Sequence, residues 1–255
     1  MLPAADTSLP HETLPSPCHD ARADGAGIDI LLLHYTGMAS AEAALARLTD
    51  AASRVSCHYL VHEDGRIVQM VAEDRRAWHA GLGVWEDETD INSRSVGIEV
   101  VNPGHDCGYR PFPAAQVEAV IALSADICRR RGIFAERVLA HSDIAPRRKQ
   151  DPGELFPWRR LAAAGIGHWV EPAPISGGRF LAEGDEGEPV EALQSMLALY
   201  GYGVEITGRY DPATHATVAA FQRHFRPERV DGVADASTVT TLRDLLASLP
   251  ERNTR

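Results

Sequence analysis

Residues 28–35 read I-D-I-L-L-L-H-Y between Gly27 and Gly37. An apolar run this short, bounded by turn residues, reads as a buried strand and commits this part of the chain to a sheet. Its neighbours alternate in kind. Residues 41–49, A-E-A-A-L-A-R-L-T, space their apolar side chains as a helix does and follow Ser40, an N-cap residue. Residues 58–71 read as a hairpin about the Asp64-Gly65 turn. Residues 95–101, S-V-G-I-E-V-V, form another strand, and a long helix runs from Pro113 to a stop at Gly132. A strand at 138–141 and a helix at 156–165 follow. Strands alternating with helices predict an α/β domain, a mixed central sheet flanked by helices, over residues 28–170. Residues 1–27, rich in Pro, Asp, Ser and Gly and without period, read as an arm. Residues 171–180 read as a linker. Residues 181–250 carry three amphipathic stretches, at 190–201, at 214–225 behind Asp211-Pro212, and from Asp235. They predict a small all-α three-helix domain, near the size at which a lone core is marginal.

The net charge of −11 is shared by both parts of the chain, with no basic stripe, which argues against nucleic acid and anionic membrane surfaces as partners. Cys18, Cys57, Cys107 and Cys128 include no C-x-x-C pair, so neither a zinc knuckle nor a disulfide framework is indicated. No run is long enough to span a membrane, and the first residues lack the basic and apolar regions of a secretory signal. The chain as written is therefore expected in the cytoplasm. A signal upstream of this start would place it in the periplasm or envelope instead.

Chemistry concentrates in three places. His34 ends the first strand, His141 ends a later one, and Asp151 lies beyond it in A-H-S-D-I-A-P-R-R-K-Q-D-P-G. Strand ends of α/β sheets are where sites are commonly built. Two histidines and a carboxylate make an open tripod for a catalytic zinc, which takes three protein ligands and leaves a fourth position for water. The plainer alternative is a packed strand-end histidine and a solvated loop. Glu99 interrupts an apolar strand, sharing a face with Gly97 opposite Val96, Ile98 and Val100. A buried carboxylate is costly without a role, so Glu99 is the candidate base; an exposed strand face is the alternative. Lys149 is the only lysine in the chain. It stands two residues from Asp151, so both side chains of an extended segment face one site. There it supplies positive charge to a developing oxyanion.

The segments L-L-L-H-Y, C-H-Y-L-V, A-W-H-A-G, V-G-I-E-V and A-H-S-D through K-Q-D-P-G, in this order over about residues 28–165, resemble the type 2 N-acetylmuramoyl-L-alanine amidases. The loop from His141 to Gly153 is closest to the AmiD branch of that family, with AmpD and the peptidoglycan-recognition fold beside it. The resemblance implies one zinc per chain held by His34, His141 and Asp151, with Glu99 as base and Lys149 stabilising the transition state. It also implies a cleft lined by His58, Trp78 and His79. Asn92 and Trp85 fall in the stretch where substrate contacts are found, with core packing as the alternative for both tryptophans. Three further segments resemble the three-helix peptidoglycan-binding domain: V-E-A-L-Q from Val190, D-P-A-T with Phe221-Gln222, and V-D-G-V-A-D-A-S-T from Val230.

The expected function is zinc-dependent hydrolysis of the amide between N-acetylmuramic acid, or its anhydro form, and L-alanine of the stem peptide. The expected partners are peptidoglycan or muropeptides, and the chain is read as a monomer. Two alternatives stand beside it. One is a non-hydrolytic wall-binding protein, although binding members of the fold typically lack part of the metal site. The other is a zinc peptidase cutting within the stem, for which the chain lacks an H-E-x-x-H helix. For the C-terminal domain, the alternative to wall binding is a helical buttress.

Overall fold

The structure, a computed structural model, describes residues 5–250. In chain order its strands are β1 (Glu12–Thr13), β2 (His19–Ala21), β3 (Ile30–Tyr35), β4 (Tyr59–Val61), β5 (Ile67–Gln69), β6 (Arg75–Ala77), β7 (Ser95–Val100) and β8 (Val138–Ala140). The helices are α1 (Ala41–Thr49), α2 (Ile91–Arg94), α3 (Ala114–Arg131), α4 (His141–Ile144), α5 (Trp158–Ala163), α6 (Glu188–Tyr200), α7 (Pro212–Phe225) and α8 (Ala236–Ser248). The main sheet has the order β1-β5-β4-β7-β3-β8 and is mixed: only β4 and β5 run antiparallel within it, as the predicted hairpin. The part read as a structureless arm contributes twice. β1 adds a parallel edge strand beside β5, and β2 pairs with β6 in a separate ribbon. Neither was foreseen, because two- and three-residue strands carry no period of their own.

β3 lies between β7 and the edge strand β8, and its two faces meet different layers. Leu31 and Leu33 pack with Val96, Ile98 and Val100 of β7 against Val120, Leu123 and Ile127 of α3. On the other face, Ala44 and Leu48 of α1 cover Leu60 and Val68 of the hairpin. Ile30, Leu32 and Leu139 on that same face join one continuous core with Trp85, Ile91 and Ile144 and with α6–α8, through Leu193, Leu197, Tyr202, Phe221, Phe225 and Leu242. The three-helix unit is therefore a layer of the α/β part rather than a bead on a string. Trp85, weighed as a substrate contact, is instead wholly buried at this junction, with Tyr202 against its ring (centroids 5.1 Å apart). Gly201, at φ +132°, leaves it room: a Cβ there would stand 2.6 Å from the indole.

Inside the unit two buried glutamines fix the turns between helices. Gln194 of α6 accepts from the backbone N–H of Thr207 and Gly208 and donates to Arg209 O. Gln222 of α7 does the same with Asp231, Gly232 and Val233. Each turn ends in an aspartate N-cap, Asp211 for α7 and Asp235 for α8, as the sequence signals indicate.

The far edge of the sheet is tied to the end of α3 by Glu73. This wholly buried carboxylate accepts from Arg130, Arg131 and Tyr59 at 2.6–2.9 Å. Burial alone would raise its pKa; the hydrogen bonds from Arg130, Tyr59 and Arg131 outweigh it and hold the group at about 2. A depressed folded-state pKa stabilises the fold above the ordinary value of 4.5. That stabilisation drains away as the pH falls from there towards 2. Glu73→Gln should cost about 3 kcal/mol, the low end for breaking a buried ion pair, because both guanidiniums keep some access to water. Denaturant melts at pH 7 and pH 3 test this: the gap between parent and variant should shrink at the lower pH.

Candidate metal centre and active-site cleft

β3 and β7 run in parallel with His34 directly opposite Glu99, so the register of these two neighbouring strands brings two of the predicted residues to one end of the sheet. β8, on the other side of β3, hands the chain straight into α4, whose first residue is His141. Asp151 returns to this point because Ser142 N donates to its carbonyl oxygen at 3.0 Å. Three ligand atoms converge there. His34 Nδ1 lies 2.9 Å from His141 Nδ1 and 3.1 Å from Asp151 Oδ2, and the last two atoms are 3.0 Å apart. His34, His141 and Asp151 are 1%, 2% and 5% exposed. The spacing suits three corners of a tetrahedron with bonds of about 2 Å, the geometry zinc prefers.

The protonation states suit a cation as well. Burial, and after it the charge of His141, pushes the His34 imidazole down to about 4. Burial would raise the Asp151 carboxyl, but His141 and His34 overcome it and hold it well below the ordinary range. Outer partners fix which nitrogen is bare. His141 Nε2 faces the carbonyl of Ala80 at 2.9 Å. A carbonyl only accepts, so Nε2 carries a proton and Nδ1 is the nitrogen turned to the site. His34 Nε2 lies 3.0 Å from His79 Nδ1, His79 Nε2 lies 3.3 Å from Ser95 Oγ, and Ser95 donates to Ile91 O at 2.6 Å. One assignment satisfies this row throughout: each histidine donates from Nε2, and His34 Nδ1 is left bare. His79 reaches His34 only because residue 97 is glycine; a Cβ there would stand 2.5 Å from the His79 ring.

Beside this cluster opens a cleft of about 360 Å³, walled by α1 with Met38 and Arg47, by Trp78 and His79, by Tyr35 and His105, and by residues 148–151. Glu99 and Lys149 both line it. Glu99 Oε2 is shielded from solvent with no hydrogen-bond partner. Burial first, then the nearby Asp151, pushes its carboxyl well above the usual range, with Lys149 opposing. An orphaned carboxyl oxygen in the same cleft as three converging ligand atoms fits a bound cation and its water.

The sequence matches the N-acetylmuramoyl-L-alanine amidase family over residues 24–154. This chain belongs to that family. Residues 186–242 match the peptidoglycan binding domain family. The N-acetylmuramoyl-L-alanine amidase AmiD of Escherichia coli is 41% identical over 235 residues, 86% of this chain and 82% of that protein. The 1,6-anhydro-N-acetylmuramyl-L-alanine amidase AmpD of Enterobacter cloacae is 33% identical over 59% of this chain and 87% of its own. Among solved structures, E. coli AmiD in complex with anhydro-N-acetylmuramic acid-L-Ala-D-γ-Glu-L-Lys superposes with a TM-score of 0.73 at 38% identity, covering 89% of this chain and 92% of that one. AmpDh3 of Pseudomonas aeruginosa gives 0.73 at 29% identity, over 98% and 100%. An AmpD crystal structure gives 0.56 at 32% identity, with 64% of this chain matching 99% of that one.

Within the amidase, the expected substrate contacts divide. Trp78 and His79 line the cleft. His58 does not: it lies behind His79 (ring centroids 5.5 Å apart), accepts from Gly97 N–H at 2.9 Å and turns Nε2 to Arg75 O. Burial, then Arg22, pushes it to about 3, so it is a neutral packing histidine. Asn92 is also turned inward. Its Oδ1 accepts from the backbone N–H of His79 and Ala80, holding the segment that supplies both outer partners of the metal cluster. Sequence reasoning missed the opposite rim of the cleft. There His105 stacks on Tyr109, reaches Tyr35 OH at 3.0 Å and pairs with Glu154 at 3.1 Å. Nothing in the spacing of N-P-G-H-D marked that histidine. Among the described residues no helix is long and apolar enough to cross a membrane.

Proposed function

We propose that this amidase hydrolyses the amide joining the lactyl group of N-acetylmuramic acid, or of its anhydro form, to L-alanine of the stem peptide, with one zinc held by His34, His141 and Asp151. The observation that carries the proposal is the meeting of three ligand atoms 2.9–3.1 Å apart with the unpartnered Oε2 of Glu99 in one cleft. When bound, the ion would polarise the scissile carbonyl and lower the pKa of a water towards 7. Glu99 takes the proton from the attacking water and returns it to the departing amine, a positioned acid–base role. Lys149 holds the negative charge that grows on the carbonyl oxygen. Trp78 and His105, on opposite walls, bound the space for the sugar and the peptide.

The substrate class is supported by the AmiD structure in complex with an anhydro-muramyl tripeptide substrate, and by the names of the AmpD relatives. We assign catalysis to residues 28–170, a linker to 171–180, and peptidoglycan binding to residues 181–250. The two family matches, over 24–154 and 186–242, support that division. The complete ligand set disfavours a protein that only binds wall. Mass spectrometry of a digested anhydro-muropeptide tests the reading directly. The expected products are the free anhydro-sugar and a peptide with an L-alanine N-terminus, lost on chelation and restored by zinc. A cut within the stem peptide, or full activity in metal-free protein, overturns it.

A further inference from the structure

The short helix that presents His141 is gripped from the C-terminal unit. Asp143, two residues beyond His141, is fully buried, and its carboxylate accepts three hydrogen bonds. Ala140 N donates to Oδ2 at 2.8 Å and closes the start of α4 from within the catalytic part. The other two donors come from the three-helix unit: Tyr202 OH to Oδ1 at 2.8 Å and His224 Nδ1 to Oδ2 at 2.7 Å. His224 is itself fixed, its ring stacked on Trp158 with centroids 3.7 Å apart. A helix of four residues cannot hold its own shape, since a single turn fixes more dihedrals than its hydrogen bonds repay. What surrounds α4 must do so. Besides the Asp143 bonds, Val84 N donates to Ile144 O, and Ile144 lies in the core shared with Tyr202 and Phe221. Through Ser142 N, α4 also holds the carbonyl of Asp151. Two of the three ligand side chains thus hang on one turn of helix.

We infer that Tyr202 and His224, acting through Asp143, are positioning residues of the metal centre, so that the three-helix unit is part of the scaffold that sets His141 and Asp151. The inference rests on the zinc reading above and goes beyond wall binding. Removing Tyr202 OH leaves Oδ1 of the buried carboxylate unpaired, removing His224 leaves Oδ2 with Ala140 N alone, and in both cases the loss falls on the turn that bears the ligand. Tyr202→Phe and His224→Phe remove the donors while keeping a ring in each place.

The test uses the full chain loaded with zinc and follows zinc release into excess chelator alongside kcat and KM. The double variant should release zinc about 10-fold faster, the low end of what loss of a ligand's own outer partner does, since these bonds lie one residue further out. Its kcat should fall while KM holds. Leu242→Ala serves as comparator. It loosens the core of the same unit from α8, which gives Asp143 no hydrogen bond, and it should release zinc at the parent's rate while folded. If the double variant does not fold, the two single variants carry the same comparison. Zinc release at the parent's rate from the donor variants overturns the inference, as does equal acceleration by Leu242→Ala, since loosening of the unit alone would then explain it. A parent protein that holds no stoichiometric zinc overturns the metal reading itself, a result distinct from both.

Discussion

Glu99→Ala is expected to keep its fold and its zinc and to lose about 10²–10⁴ in turnover, the usual contribution of a positioned acid–base group. The expectation follows from where the side chain sits. Glu99 stands opposite His34 on the neighbouring strand, on the face it shares with Gly97, and touches none of the three ligand atoms by hydrogen bond. Taking it away therefore removes a proton carrier without removing a ligand. Because its Oε2 is shielded from solvent without a hydrogen-bond partner, the loss should leave thermal stability level or slightly higher. Lys149→Ala should behave alike in metal content and lose about 10²–10³ in turnover, as when one donor to a developing oxyanion is deleted. His141→Ala should part company with both by losing the metal. Zinc content and kcat measured side by side on the three proteins decide the assignment. Near-normal turnover in zinc-loaded Glu99→Ala would send the search for the base elsewhere along the cleft.

Deleting residues 171–250 should do more than weaken action on intact wall. A tether that only raises effective concentration could be removed with no effect on small muropeptides. Here the deletion would strip a whole layer from Ile30, Leu32, Leu139, Trp85, Ile91 and Ile144. Truncating a single buried tryptophan typically costs about 3–5 kcal/mol, and a domain's entire net stability is about 5–15 kcal/mol. The shortened protein is expected to aggregate, or to bind a hydrophobic dye and lose activity on both soluble and polymeric substrates. A soluble truncation with the parent's kcat on soluble muropeptides would show that the α/β part closes its own core. AmpD, matched almost end to end by 64% of this chain, has no counterpart for the rest. Such a dependence would not be a demand of the amidase fold.

The contrast between what the sequence told and what it withheld follows the range of the forces involved. β3, β7, α3 and the three C-terminal helices each have an apolar pattern long enough to name them, and the strand-end position of His34 followed directly. His141 was placed at a strand end and is in fact the first residue of α4, a turn that exists because of its surroundings. β1, β2, β6 and α2 are two to four residues long and were invisible for the same reason. The stripes on α6 and α7 showed which side of each helix is buried but not against what, so the shared core at Trp85 could not be read. His58 and Asn92 have the chemistry of cleft residues; only the packing of His79 on Gly97 reveals that they stand one layer behind it.

The lone lysine has one more consequence. Apart from the chain's α-amino group, the amine of Lys149 is the only primary amine the sequence encodes, and it lines the wall of the cleft. An acylating reagent that would scatter over the surface of most proteins has here a single internal target. Its rate of attachment would report whether the cleft is empty or filled, with no mutation and no label introduced beforehand.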